Sequence, residues 1–279
     1  MRTRLVVWVL LGAAPILAQT KKKIFIITDA EGVAGICRQE QTDPHNSEMQ
    51  QLLTGEINAA VQGFLDGGAD EVLVWDAHDG SETLSTLTIH PRAKLMRGDP
   101  GVTELMDRGF AAVAFIGQHA RADSRGGVMA HSFSSLGIQT MLMNGKPVGE
   151  IETRAALAGW FHTPVIFLSG DQDAAADLHA IVPQAETAVV KEGLSNYACI
   201  SLSAEAARSL IRQGAARAIR RIGEIPPYRI EGPVSLQIEY TTRNALPVDM
   251  PEGAGMVDAR TIRYTGKNFL DVWRRYGEK

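Results

Sequence analysis

Two short clusters hold acids and imidazoles at spacings suited to metal chemistry: TDAEG (Thr28–Gly32) and GQHARADSRGGVMAH (Gly117–His131). The first sets Asp29 and Glu31 directly after an apolar run, KIFIIT. The second sets His119 after another, AAVAFIG, and adds His131. Between them, VLVWDAHDG delivers Asp76 and His78 at the end of a third run, and PVGE places Glu150 at the start of a helical stretch. Taken singly, each is an ordinary loop acid, helix-start acid or packed histidine. Jointly, each follows a strand or a glycine-rich turn. In an open α/β sheet the carboxyl ends of parallel strands face one crevice. Carboxylates and imidazoles converging there form the donor set that zinc takes. The residues themselves point to a metallohydrolase.

The elements that must position them can be read from hydrophobic period. KIFIIT, EVLVWD and AAVAFIG are continuously apolar, as parallel strands covered on both faces are. Between the first two, Asn46 or Ser47 can cap a helix whose apolar residues Leu53, Ile57, Ala60, Val61 and Phe64 recur at helical spacing up to Gly67–Gly68. That makes a β–α–β unit, parallel and right-handed. AKLMRG reads as a strand and VTELMDRG as a short helix. GVMAHSFSS with IQTMLMNGKPVGE suggests a hairpin ending at Asn144–Gly145. EIETRAALAGWF is helical, TPVIFLSGD a strand, DAAADLHAIVP a helix and ETAVVKEG a strand. Ser203 caps an amphipathic helix, SAEAARSLIRQGAARAIRRIG.

A Pro-rich stretch, IPPYRIEGP (Ile225–Pro233), then marks a change of composition. Beyond it VSLQIEY and ARTIRYTG read as strands and KNFLDVWRRYG as a helix. This tail is too small to be stable alone, so it is expected to pack on the rest. The expected class is α/β: a mostly parallel sheet flanked by helices, with a smaller C-terminal α+β domain. The expected division is a leader over residues 1–18, a catalytic domain over 19–224 and a small domain over 225–279.

At 279 residues and 45% hydrophobic content the chain can bury a large core. Its net charge of −4, with no Lys/Arg block, excludes a nucleic-acid surface. Residues 1–18 read as a secretory signal: Arg2 and Arg4 precede a 14-residue apolar run, Leu5–Ala18, with cleavage expected before Gln19. That run is shorter than the roughly 20 residues a membrane-spanning helix needs, which makes an uncleaved membrane anchor the second reading. The mature chain is therefore expected outside the cytoplasm, with no stable membrane association. Cys37 and Cys199 can form a single disulfide, but two isolated buried thiols is the reading taken from sequence. With only these two, a thiolate zinc site is excluded.

The motifs TDAEGVAG, WDAHDG, GQHARADSRGGVMAHS and NGKPVGE, in this order and spacing, resemble the zinc-dependent D-aminopeptidases first described as dipeptide-transport proteins. The resemblance continues through VIFLSGDQDAAADLHAIVP and VSLQIEYTTRNALPVDMPEG, covering nearly all of the mature chain. It implies two zinc ions per chain, with Asp29 as the bridge and Glu31, His78, His119 and Glu150 as the remaining ligands. It implies that His131 is the catalytic histidine. It further implies a homo-oligomer, as large as a decameric ring, acting on short peptides and accepting D-residues such as D-Ala.

Two zinc ions sharing a carboxylate polarise a scissile carbonyl and activate water. His131, outside the ligand set, then serves as general base or acid. Asp76 is expected to orient a ligand imidazole, Arg121 and Asn144 to touch a ligand or substrate, and Glu31 or Glu152 to hold a substrate amine. Two alternatives share these residues: another zinc amide hydrolase such as a deacylase, and a non-catalytic exported protein that binds metal or peptides.

Overall fold

The first apolar run forms β1 (Lys23–Thr28), with five of its six residues buried. The computed structural model describes residues 21–98, 101, 105–250 and 252–277; the expected signal segment lies outside them. After β1 come α1 (Ser47–Asp66), β2 (Glu71–Trp75), β3 (Ala93–Met96) and β4 (Ala112–Gln118). A hairpin of β5 (Ile138–Met143) and β6 (Lys146–Pro147) precedes α2 (Glu150–Trp160) and β7 (Val165–Asp171). The chain continues through α3 (Gln172–Ile181), β8 (Glu186–Ser195), β9 (Ala198–Ser201) and α4 (Ala204–Arg220). It ends with β10 (Val234–Tyr240), β11 (Ala254–Met256), β12 (Thr261–Gly266) and α5 (Phe269–Tyr276). The short helix expected over 102–109 lies partly outside the described residues.

The main sheet runs β3-β2-β1-β4-β7-β8-β9, parallel except for β9, which turns back along β8. β1, β4 and β7 fill its centre, and both faces are covered, which is why the middle of each is an apolar run. The expected β–α–β unit is present, with β1 and β2 in parallel register. Asn46 is the residue that caps α1, its side chain accepting from the backbone N–H groups of Glu48 and Met49. α1 packs on α4 so closely that a Cβ on Gly63 would stand 2.3 Å from the carbonyl oxygen of Arg212.

The C-terminal tail does not close its own sheet. A second sheet runs β11-β12-β10-β5-β6, so the hairpin at residues 138–147 completes it from within the preceding segment. α5 seals this unit by burying Phe269, Val272 and Trp273, each worth about 1.5–3 kcal/mol. The expected hairpin exists only around Asn144 (φ 49°) and Gly145 (φ 77°), whose positive φ values suit a two-residue turn. GVMAHSFSS is a loop and not a strand, because Met129 (φ 52°) and Phe133 (φ 60°) turn the backbone out of the extended region.

The cysteine reading is corrected: Cys37 and Cys199 form a disulfide, with Cα atoms 5.8 Å apart across a sequence separation of 162. The unforeseen strand β9 brings Cys199 back along the sheet edge to the segment that follows β1. That Cα spacing is one a disulfide spans without backbone movement.

Candidate metal centre

β1 and β4 are neighbours, and from them the strand order departs in opposite directions, through β2 and β3 on one side and β7 and β8 on the other. Such a switch point opens a crevice at the carboxyl ends of the strands. Asp29 and Glu31 follow β1, His119 follows β4, His78 follows β2, and Glu150 opens α2. The two central loops are tied together: Asp29 N–H donates to the Ile116 carbonyl (2.9 Å) and Gly32 N–H to that of Gly117 (2.7 Å). Glycine is required at both ends of this contact. A Cβ on Gly32 would lie 2.0 Å from the Gln118 carbonyl oxygen. One on Gly117 (φ 76°) would lie 2.1 Å from that of Asp29.

The five expected ligands converge, all of them buried except the half-buried Glu150. Asp29 Oδ1 stands 3.1 Å from His78 Nδ1 and Asp29 Oδ2 3.3 Å from His119 Nε2. Glu31 Oε2 is 3.4 Å from His78 Nδ1, and Glu150 Oε1 is 3.4 Å from His119 Nε2. The far ring nitrogens fix the tautomers. His78 Nε2 meets the Thr42 carbonyl at 2.7 Å and His119 Nδ1 meets the Ala120 carbonyl at 2.9 Å. A carbonyl only accepts, so each of those nitrogens carries its proton, and the nitrogen facing the carboxylates is the ligating one.

Burial opposes charge on every group here, and the mixture of signs answers it. For His78, burial favours the neutral ring, yet the charge of Glu31 and the hydrogen bond to Asp29 push its pKa up to about 12. Burial likewise opposes His119, and Glu150 with Asp29 hold it well above the ordinary histidine value. Glu150, despite burial, is held down to about 2 by His119, His131 and Arg154. Burial raises Glu31 too, but His78 and His119 keep it well below the usual carboxylate range. For Asp29 burial wins, reinforced by the charge of Glu31, and its pKa rises. These shifts together favour positive charge in the space between the side chains.

The donor set fits zinc. Glu31 Oε2 and His119 Nε2 are buried and have no hydrogen-bond partner among the described residues, which leaves both aimed at a shared centre. Ligand atoms of Asp29, Glu31 and His119 lie within 4.8 Å of one another, as do those of His119, His131 and Glu150. His131 belongs to the second group by proximity. Its ring is half-buried, stacks on that of His119 with centroids 4.0 Å apart, and spends Nδ1 on the Met129 carbonyl at 2.8 Å.

Four other expectations change. Asp76 is fully buried, but its carboxylate accepts from Thr83 N–H (3.0 Å), Leu84 N–H (2.8 Å) and the Thr83 hydroxyl. It shapes the loop after His78 and does not hold the imidazole, a task that falls to Thr42. Arg121 is engaged by Asp123 (2.7 Å), Glu152 (3.1 Å) and Asp177, so its charge is already matched. Glu152 accepts from Gly149 N–H at 2.8 Å as well as from Arg121. Burial, with Asp177 nearby, raises its pKa to about 7. Asn144 sits exposed in the β5–β6 turn and accepts from Ser235 N–H at 2.8 Å. Arg121, Asn144 and Glu152 line one cavity, and none of the five ligands does. Glu152 therefore lies apart from the five expected ligands, with its carboxylate engaged by Gly149 N–H and Arg121.

Sequence reasoning missed Gln118, whose Nε2 donates to Asp29 Oδ2 at 3.0 Å, although its place between Gly117 and His119 was a signal. It also missed Thr42 and Lys191, whose contacts come from distant parts of the chain.

Comparison with known proteins agrees with this geometry. A curated D-aminopeptidase from Bacillus subtilis (strain 168) is 29% identical over 260 residues, covering 90% of this chain and 94% of the relative. The solved structure of the zinc-dependent D-aminopeptidase DppA from Bacillus subtilis, described as a self-compartmentalizing protease, superposes with a TM-score of 0.82. It has 28% identity and covers 91% of this chain and 95% of that one. The D-aminopeptidase (peptidase M55) family model matches residues 22–276, which is essentially the whole described chain, and this protein belongs to that family.

Proposed function

We propose that this chain is a zinc aminopeptidase that holds two zinc ions and removes N-terminal residues, D-residues among them, from short peptides. Asp29 would serve both ions, with Glu31 and His78 holding one and His119 and Glu150 the other. The observation that carries this reading is the division of the Asp29 carboxylate, with Oδ1 toward His78 and Oδ2 toward His119. A single-ion site would need no carboxylate turned both ways.

Zinc bound there supplies Lewis-acid polarisation of the scissile carbonyl. The rest falls to this chain's side chains. Gln118 Nε2 donates to Asp29 Oδ2, so the carboxylate keeps its orientation. Thr42 and Ala120 fix the imidazole tautomers. His131, with its Nδ1 proton on Met129, presents Nε2 to take a proton from the attacking water and return it to the leaving amine. Burial of the ligands excludes bulk water, which strengthens each of these charges.

Zinc counted per chain, with release of D-Ala from D-Ala-D-Ala compared with L-Ala-L-Ala and with both N-acetylated peptides, tests the proposal. Cleavage of the free D-peptide and not of the blocked one supports it. Equal cleavage of blocked peptides points to a deacylase or other amide hydrolase, and no cleavage at all to a binding protein.

The relative described as self-compartmentalizing supports a homo-oligomer, and a decameric ring is the assembly proposed; light scattering of the purified chain measures it. Export is proposed on Arg2, Arg4 and the apolar run, with D-Ala peptides outside the cytoplasm as the substrate source. N-terminal sequencing of fractionated cells should find the chain beginning at Gln19, and an intact Met1 in the cytoplasm would refute it. Among the described residues no helix is long and apolar enough to cross a membrane.

A further inference from the structure

Residues 29–42 carry Asp29 and Glu31 and end at Thr42, whose carbonyl orients His78. The segment has no strand and only one short helical turn, Gln39–Gln41. A stretch with so little structure of its own takes its shape from whatever holds it. Beyond the tie to β4 at Asp29 and Gly32, it is held in four places. Glu56 of α1 accepts from Ala34 N–H at 2.9 Å. Lys191 of β8 donates to the carbonyls of Glu31, Val33 (3.1 Å) and Ile36. Ser201 of β9 accepts from Gly35 N–H at 2.7 Å. Cys199 of β9 joins Cys37. Three of these four holds come from one hairpin at the sheet edge.

Lys191 is 3% exposed, and its three ammonium protons are matched by three carbonyls within six residues of one another. The ammonium draws that backbone into a curl around itself and so fixes where Glu31 points. Cys37 lies beyond the curl, on the way to Thr42, so the disulfide fixes the second half of the segment. His119 and Glu150 are outside this arrangement: one follows β4, the other opens α2, and none of the four holds touches either.

We propose that the β8–β9 hairpin is a positioning device for one of the two metal positions: Lys191 and the Cys37–Cys199 disulfide set the affinity of the Glu31–His78 position and leave the His119–Glu150 position unaffected. This rests on the two-ion reading above. It makes metal retention at one position dependent on the thiol–disulfide state of the chain.

The test is a chelator titration of the zinc-loaded full chain, counting the zinc retained. Three proteins are compared: wild type, the double variant Cys37→Ser/Cys199→Ser, and wild type reduced with a phosphine and alkylated. In that reduction phosphorus supplies the two electrons that cleave the S–S bond, water supplies the two thiol protons, and the phosphine leaves as its oxide. Wild type should hold two ions. Both disulfide-free proteins should release one of them at about tenfold lower chelator or less, the scale seen when groups behind metal ligands are lost, and keep the other as wild type does. The retained ion reports that the fold is intact. Release of both ions as in wild type, or of both together at lower chelator, overturns the proposal. A wild-type chain that holds only one ion overturns the two-ion reading itself, and the positioning role with it.

Discussion

The imidazoles of His119 and His131 lie face to face, their centroids 4.0 Å apart and their planes inclined by 15°. An imidazole binds zinc through a lone pair in the plane of its ring, at ~2 Å. His119 turns Nε2 toward Asp29 Oδ2 (3.3 Å) and Glu150 Oε1 (3.4 Å), so of the two rings it is the one that would hold zinc. Proximity groups the two residues, but the proposed reading separates their roles: His119 would ligate and His131 would face the substrate. His131→Ala should therefore keep its full zinc content and lose activity by about 10²–10⁴-fold, the contribution typical of a proton-transfer group. Metal analysis alongside the peptide assay decides it, and a variant purified short of zinc would make His131 a ligand.

In the two-ion reading both metal positions would depend on Asp29. Asp29→Ala should lose both ions, whereas Glu31→Ala and Glu150→Ala should each weaken one and leave the other. The comparison is made by zinc content after gel filtration. An Asp29→Ala chain that retains one ion at wild-type affinity would show that the carboxylate does not bridge.

The strands that hold these ligands were legible because each core strand is buried on both faces and so appears as an unbroken apolar run. The ligands were legible for a related reason: a charged residue immediately after such a run lies at the rim of the sheet, and the switch between β1 and β4 gathers the rims. The supports behind the ligands were not. Lys191 sits in a strand, where a lysine reads as solvent-facing. Its burial depends on carbonyls at residues 31, 33 and 36, far away in sequence. The pairing of Cys37 with Cys199 left no local trace either. Asp76 stood two residues from His78 and invited a role on its ring, but the backbone N–H groups of Thr83 and Leu84 are its partners. The tail's dependence on β5 was hidden because strand pairing between partners as far apart as Ile138 and Tyr240 has no periodic signature.

Gly32 tests how closely the two central loops must approach. Gly32→Ala would place a Cβ 2.0 Å from the Gln118 carbonyl oxygen and 2.5 Å from the Gly117 carbonyl carbon, both backbone atoms that cannot swing aside. The loops must part, which carries Asp29 away from His119. We expect a loss of about 1–3 kcal/mol in stability, as for overpacked cores, together with reduced zinc content. Thermal unfolding and metal analysis of the variant measure the two effects, and wild-type values in both would show that the loops yield elsewhere.

Zinc binding should release protons. With His78 pushed up to about 12 and His119 held well above its ordinary value, both rings carry an extra proton at neutral pH in the absence of metal. Zinc takes only the neutral ring, so uptake must expel both protons and the apparent affinity must fall as pH falls. Adding zinc to metal-free chain in a weakly buffered indicator solution should release about two protons per chain. Release of none would mean that the rings are already neutral.

Glu56 gives a pH dependence of stability that is independent of metal. Burial raises its pKa to about 7 in the folded chain, against an ordinary value of 4.5, even though Ala34 N–H, Lys191 and Arg208 favour its charged form. Between those two pH values the folded chain binds more protons than the unfolded chain. Stability therefore falls as pH rises through the window. Glu56→Gln keeps an oxygen to accept from Ala34 N–H and removes the ionisation. The melting temperature of the variant, relative to wild type, should accordingly climb between pH 4.5 and 7 and level off above it. Thermal melts of metal-free wild type and variant across that range measure the difference. A difference that stays flat with pH would mean that Glu56 ionises in the folded chain as it does in the unfolded one.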